Sequence, residues 1–202
     1  MKIVIATGNK GKIRDFKTIF SDVEVIGIKE LLPDFEVEET EDTFEGNAVL
    51  KAESASKALG LPVISDDSGL CVDALDGAPG VYSARYAGLG ASDEDNNRKL
   101  LAALTDVENR SARFVCVIAL AIPGRDTRSY VGQLHGEILE SSAGEGGFGY
   151  DPLFKTLQGE HLGMISTEQK GEISHRRKAL EKLKHDASAF EILLNHDGGA
   201  DK

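Results

Sequence analysis

Ser65-Asp66-Asp67-Ser68-Gly69-Leu70 sets two adjacent carboxylates directly after a short apolar run, Leu61-Pro62-Val63-Ile64. Oxygen ligands suit a hard cation such as Mg2+, commonly held through one or two carboxylates together with substrate phosphates. The run predicts a strand that ends at the acids and turns on Gly69. Neighbouring strand residues point to opposite sides, so one carboxylate can ligate a metal while the other caps the next turn. Two ordinary turn or capping residues would look the same. Upstream, Thr7-Gly8-Asn9-Lys10-Gly11-Lys12 combines backbone N–H groups, a hydroxyl, an amide and two ammonium groups. Such a turn at a helix start attracts anions through free N–H groups and the helix dipole. Neither GxxxxGK[ST] nor GxGxxG is present, so it is not one of the common nucleotide loops. A plain strand-to-helix turn with solvated lysines is the competing reading. Metal-directed and phosphate-directed elements in one chain point to a nucleotide enzyme.

Two further groups extend that reading. In Gly144-Glu145-Gly146-Gly147-Phe148-Gly149-Tyr150-Asp151-Pro152, five of nine residues are Gly or Pro, which suits close approach of a ligand. Phe148 is a candidate for stacking on a base, worth about 1–3 kcal/mol. Asp151 is a candidate acceptor for a ring N–H. An ordinary hairpin loop whose aromatics fill the core fits equally. Lys170 and Ser174-His175-Arg176-Arg177 offer donors for carbonyl oxygens or phosphates, or form a basic helix end on an acidic protein. Glu38, Glu39, Glu41 and Asp42 read as a solvated acidic face from which one residue serves as a second metal ligand.

The elements that must position these groups follow from periodicity. Lys2–Ala6 reads as a buried strand broken by Gly8 and Gly11, and Ile13, Phe16, Ile19 and Phe20 recur at helical spacing. Val23–Ile28 reads as a strand and Leu32–Glu41 as an acidic loop. Asp42 and Glu45 resemble a capping box that opens a helix to Leu59, with Phe44, Ala48, Ala52, Ala55 and Leu59 on one stripe. Asp76–Gly80 is a turn cluster, and Ser92–Leu104 is helical. Arg113–Ile122 is nearly all apolar and so predicts a central strand. Thr127–Leu139 continues as one or two strands. Ile173–Leu194 reads as one helix with Leu180, Leu183, Ala187, Phe190 and Leu194 inward, before a polar tail over 196–202 expected to be disordered. The alternation predicts an α/β or mixed-sheet domain spanning 1–195.

The chain has 202 residues, 41% hydrophobic content and a formal net charge of −11. That length supports one globular domain. The charge argues against nucleic acid as a partner, because the chain would repel a phosphate backbone. The two cysteines, Cys71 and Cys116, lack CxxC spacing and read as buried reduced thiols. The apolar start, Ile3–Ala6, is too short for a signal or a membrane span, so a cytoplasmic protein with no membrane partner is expected.

Taken in order, TGNKGK, EETEDTFEGNAVLKA, SDDSGL, DGAPGVYSARYAG, GFGYDPLF and SHRRKAL resemble the inosine triphosphate pyrophosphatase family, from residue 2 to about residue 194. Its bacterial members are the dITP/XTP, or non-canonical purine NTP, pyrophosphatases. The resemblance implies Mg2+-dependent cleavage of the α–β phosphoanhydride of ITP, dITP and XTP, giving the monophosphate and pyrophosphate. It implies an elongated mixed β-sheet flanked by helices, two lobes around a nucleotide cleft, and a homodimer. By resemblance, Thr7, Gly8, Asn9, Lys10, Gly11 and Lys12 hold the triphosphate, and Lys51 faces the phosphates. Asp67 matches the proton acceptor and metal ligand, and Ser68 a substrate contact. Glu39 matches the other metal carboxylate, with Glu38 as fallback. Phe148 stacks on the purine beside Gly149, Tyr150 and Asp151, while Lys170, His175 and Arg176 read the base edge. Some relatives carry Trp where this chain has Phe148, and stacking survives that change. Two rival readings stand beside this one: a Maf-like pyrophosphatase of modified pyrimidine nucleotides, and a nucleotide-binding module without catalysis.

Overall fold

In the computed structural model, which describes residues 2–195, six strands share one sheet. They are β1 (Lys2–Ile5), β2 (Glu24–Gly27), β3 (Val63–Val72), β4 (Ser111–Ala121), β5 (Arg128–Ile138) and β6 (Phe154–Thr156), in the order β2-β1-β3-β4-β5-β6. β1 runs parallel to β2 and β3, and β5 runs antiparallel to β6, so the sheet is mixed. The apolar run in β4 is interior, as its composition predicts. The helices are α1 (Lys10–Ile19), α2 (Ile28–Leu31), α3 (Phe44–Leu59), α4 (Asp93–Ala103), α5 (Thr167–Ile173), α6 (His175–His185) and α7 (Ala187–Asn195). None of the helices among the described residues is long and apolar enough to cross a membrane. The tail expected to be disordered, 196–202, lies outside the described residues.

The chain forms two compact units. The first joins the N-terminal stretch through Asp67, Cys116–Gly132 and the C-terminal stretch from Arg176; the second joins Ser68–Val115 and Gln133–His175. In the first unit, strand alternation sorts side chains to two cores. Ile3, Ile5, Ile64, Cys116, Ile118 and Leu120 pack with Phe16 of α1, Leu180 and Leu183 of α6, and Leu193 of α7. The intervening positions face α3 or its neighbours: Val4 and Val63 pack with Ala55, and Val117, Ala119 and Ala121 pack with Ala48 and Ala52. Alanines on that helical stripe bring α3 close to the sheet. The second unit buries Leu70, Val72, Leu100, Phe114, Leu134, Tyr150 and Phe154 together.

Four expectations are corrected. β3 does not end at the acidic pair but runs through Asp66, Asp67 and Gly69 to Val72. The cap of α3 is Thr43, whose hydroxyl accepts from the Gly46 N–H at 3.0 Å, and not Asp42. The strand expected to be broken by Gly8 and Gly11 already ends at Ile5, and Gly11 lies inside α1. The long C-terminal helix is two helices, α6 and α7, and its first residue, Ile173, instead closes α5. Ser174 is extended between α5 and α6, and Asp186 separates α6 from α7, accepting from the Ala189 N–H at 3.3 Å. The restart shifts the helical phase, so Ala189 and Leu193 are buried and Ala187 is exposed. The side chain of Leu194 lies outside the described residues. β6 and α5 are short, and periodicity alone does not predict them.

Candidate active site

The first unit holds most of the charged groups. β1 ends at Ile5 and leads through Ala6, Thr7 and Gly8 to Asn9, which caps α1. The Asn9 Oδ1 accepts from the N–H groups of Gly11 at 2.8 Å and Lys12 at 3.1 Å, and the Asn9 N–H donates to Thr7 Oγ1 at 3.2 Å. Two helix-start donors expected to meet phosphate are therefore occupied by the cap. What the turn presents outward is Gly8, Asn9 and the exposed Lys10.

The alternation of β3 sends its two carboxylates to different helices. Asp66, on the face of Ile64, meets Lys12 Nζ at 3.1 Å and Arg176 Nη2 at 3.1 Å. Arg176 also pairs with Asp15 of α1, and its guanidinium carbon lies 5.8 Å from the Phe16 ring centre. Asp15, Asp66 and Arg176 are all buried. Burial alone would raise the Asp66 carboxyl, but Lys12, Arg176 and Lys51 outweigh it and hold the group well below the usual carboxylate range. Asp66 is thus an ion-pair centre. Cys116 lies on the same face of β4, and burial pushes its thiol up to about 12, so it stays protonated.

Asp67 points the other way, toward α3, as does Ser65, whose hydroxyl donates to the Ala48 carbonyl. Lys51 Nζ of α3 lies 2.6 Å from Glu39 Oε1 and 3.8 Å from Asp67 Oδ1. Burial pushes the Asp67 carboxyl up to about 6, more than the nearby Lys51 and Lys12 pull it down, and Glu39 and Asp66 add to the rise. Burial would lower Lys51, but Asp66, Asp67 and Glu39 together raise it, so it is an ammonium. Glu38 is exposed, whereas Glu39 is the half-buried member of the pair. Among the described residues no group of three or more His, Cys, Asp or Glu side chains converges as a metal cage.

The second unit builds the aromatic loop. Gly147 has φ +77°, and a Cβ there would meet Asp151 Oδ2 at 2.1 Å, so only glycine fits. Asp151, buried, accepts from the Phe148 N–H at 2.9 Å and pairs with Lys170 Nζ at 2.5 Å. Lys170 Nζ lies 4.2 Å from the Phe148 ring centre. Asp93 Oδ2 accepts from the Gly149 N–H at 2.7 Å, and Asn97 Nδ2 donates to the Gly149 carbonyl at 3.0 Å. The Tyr150 hydroxyl donates to the Ser83 carbonyl at 2.7 Å and is buried, so it belongs to the scaffold of the loop. His175 is buried, its ring stacked on Phe114 with centres 5.0 Å apart and planes at 15°. Ser68 is half-buried on β3.

The structure therefore brings Lys51, Glu39 and Asp67 into one charged group, sets Lys12 with Asp66 and Arg176 on the other face of β3, and brings Phe148, Gly149, Asp151 and Lys170 into a further group. Arg176, expected at the base edge, has its guanidinium engaged by Asp15 and Asp66 in the first unit. Asp15, Asp93 and Asn97 do not stand out in the sequence. The only signal for Asp15 is its position three residues after Lys12 on the same helix, and helix-spaced acids are common.

A model of the Ham1 family matches residues 3–186. The dITP/XTP pyrophosphatase of Staphylococcus aureus (strain MW2) is 55% identical over 183 residues, covering 90% of this chain and 94% of that protein. The dITP/XTP pyrophosphatase of Staphylococcus epidermidis (strain ATCC 12228 / FDA PCI 1200) gives the same figures, 55% over 183 residues, 90% and 94%. Among solved structures, the Staphylococcus aureus Ham1 protein superposes with a TM-score of 0.84 at 53% identity, over 94% of this chain and 100% of that one. A HAM1 protein from Coxiella burnetii gives 0.83 at 38% identity, over 93% and 98%.

Proposed function

This chain belongs to the Ham1 family, and on that premise we propose that it hydrolyses non-canonical purine nucleoside triphosphates (ITP, dITP and XTP) at the α–β phosphoanhydride. The products are the monophosphate and pyrophosphate, and the role is removal of deaminated purines from the nucleotide pool. The observation that carries the reading is the pair of carboxylates, Asp67 and Glu39, held beside one buried ammonium, Lys51.

Oxygen-only ligands on either side of a cation fit Mg2+, which often binds through one or two carboxylates and completes its shell with phosphate oxygens and water. Asp67 and Glu39 would hold it. When bound, the ion neutralises charge on the phosphate oxygens and orients them. Asp67 orients the attacking water and takes its proton; a carboxyl raised to about 6 is a stronger base than an exposed one, yet ionised at neutral pH. Lys10 and Lys12 meet negative charge spreading over the phosphates. In the second unit Phe148 stacks on the purine, and Lys170, steadied by Asp151, donates toward the 6-oxo group. An adenine presents a 6-amino donor instead, which leaves a donor unpaired at a cost of about 1–3 kcal/mol. The family supports a cytoplasmic homodimer, which light scattering on the purified protein would test.

Incubation with ITP, dITP, XTP, ATP and dUTP, with Mg2+ or EDTA, followed by anion-exchange chromatography, tests the assignment. IMP and pyrophosphate, formed only with metal and with ATP spared, are expected. IDP and orthophosphate would place the cut at the wrong bond and end the proposal; turnover of dUTP alone would favour a pyrimidine enzyme. Phe148→Ala is expected to raise KM for ITP by a factor corresponding to about 1–3 kcal/mol, with kcat less affected. An unchanged KM in steady-state assays would remove Phe148 from base stacking.

A further inference from the structure

Lys51 occupies an unusual position for a phosphate-binding lysine. Its ammonium is largely buried, with the side chain 12% exposed, and it meets Glu39 at 2.6 Å and Asp67 at 3.8 Å. The neighbouring cations are placed otherwise. Lys12 serves Asp66 on the opposite face of β3, and Arg176 serves Asp66 and Asp15. So the two carboxylates read as metal ligands share a cation carried on α3. An ammonium is a compact point charge on a flexible stem, able to swing between partners at small cost.

We propose that Lys51 is a placeholder cation: it neutralises Glu39 and Asp67 until the triphosphate arrives, then transfers to the phosphates and gives up its place to the divalent ion. This rests on the reading of Glu39 and Asp67 as metal ligands. Its consequence is an order of events. With Lys51 in place a divalent cation meets one unit of positive charge beside both of its ligands and binds poorly by itself. Phosphates draw Lys51 away and add oxygen ligands, so nucleotide and metal bind with strong positive coupling, and the coupling is reciprocal. Buried carboxylates are thereby kept paired in the interval, which avoids the cost of uncompensated buried charge.

The test is binding of Mn2+, read by loss of the free-ion paramagnetic resonance signal, to full-length protein with and without a non-hydrolysable α,β-methylene analogue of ITP. Lys51→Met is expected to tighten Mn2+ binding to the nucleotide-free protein by about tenfold or more, the scale of removing one unit charge from beside a divalent ion when the interaction is screened nearly as in bulk water. The ratio of Mn2+ affinities with and without the analogue should fall by a similar factor. Lys51→Gln, which keeps a donor to Glu39 without the charge, should behave likewise if the methionine variant fails to fold. Lys12→Met is the control, and it should tighten Mn2+ binding less. Unchanged Mn2+ affinity in both Lys51 variants, with the analogue still promoting Mn2+ binding to the wild type, would overturn the placeholder and leave the metal site standing. Equal tightening by Lys12→Met would reduce the effect to a general field and would also overturn it. If Glu39→Gln and Asp67→Asn bind Mn2+ as the wild type does, the metal-ligand reading itself fails.

Discussion

Replacing Asp67 with asparagine is expected to cut turnover of ITP by about 10²–10⁴-fold, the range of a lost general base, while nucleotide binding persists and the fold becomes more stable at neutral pH. The stability gain follows from burial. The carboxyl is raised from 3.8 to about 6 in the folded chain. A folded chain that holds the proton more tightly than the unfolded one is penalised by ionisation. The penalty is absent below the unfolded value, grows between about pH 4 and 6, and is constant above. A rise of that size, with the pull of Lys51 already included, is worth at most about 3 kcal/mol, and burying the new amide costs part of it, so about 1–2 kcal/mol is expected. Thermal melts in EDTA at pH 7.5 should show the variant above the wild type, with the gap closing toward pH 4. A variant that melts lower at pH 7.5 would mean that the pairing with Lys51 outweighs burial. Lost binding with turnover surviving in the bound fraction would overturn the assignment of Asp67 as the base.

Arg176→Ala should have the largest effect on the fold. It strips the guanidinium from Asp15 and Asp66, both buried, and leaves two carboxylates near each other with Lys12 to offset them. Breaking a buried pair from one side costs about 3–5 kcal/mol. Arg176→Lys keeps the charge but not the fork that spans two carboxylates, so an intermediate loss is expected. Urea denaturation at pH 7.5 measures both. Were Arg176→Ala to unfold within about 1 kcal/mol of the wild type, the range of ordinary surface changes, and instead narrow the ratio of ITP to ATP turnover, the guanidinium would be a base reader and not an ion-pair clamp.

Much of the scaffold is legible because its signals are local. The bounds of α3 and α4, the central position of β4 and the stripe of Ala48, Ala52 and Ala55 follow from spacing alone. The division of the C-terminal helix is not legible, because Ser174 and Asp186 break it without a glycine or proline, and a polar residue on a helix face carries no such warning. The end of β3 is misleading because two adjacent acids disfavour a strand interior. That preference is overridden by cations that arrive from 54 residues before Asp66 and 110 after it, as its contacts with Lys12 and Arg176 show.

By itself the sequence determined the class of chemistry: oxygen ligands, a basic glycine turn and an aromatic glycine loop in family order. It also determined the elements whose periodicity is built into contiguous residues. Only the tertiary structure decided which partner each charge has. Asp66 and Asp67 are neighbours of the same type, yet one is held ionised by Lys12 and Arg176 while the other is raised to about 6 beside Lys51. The physical reason is the alternation of a strand, which sends adjacent side chains to opposite faces and so into two environments assembled from distant segments.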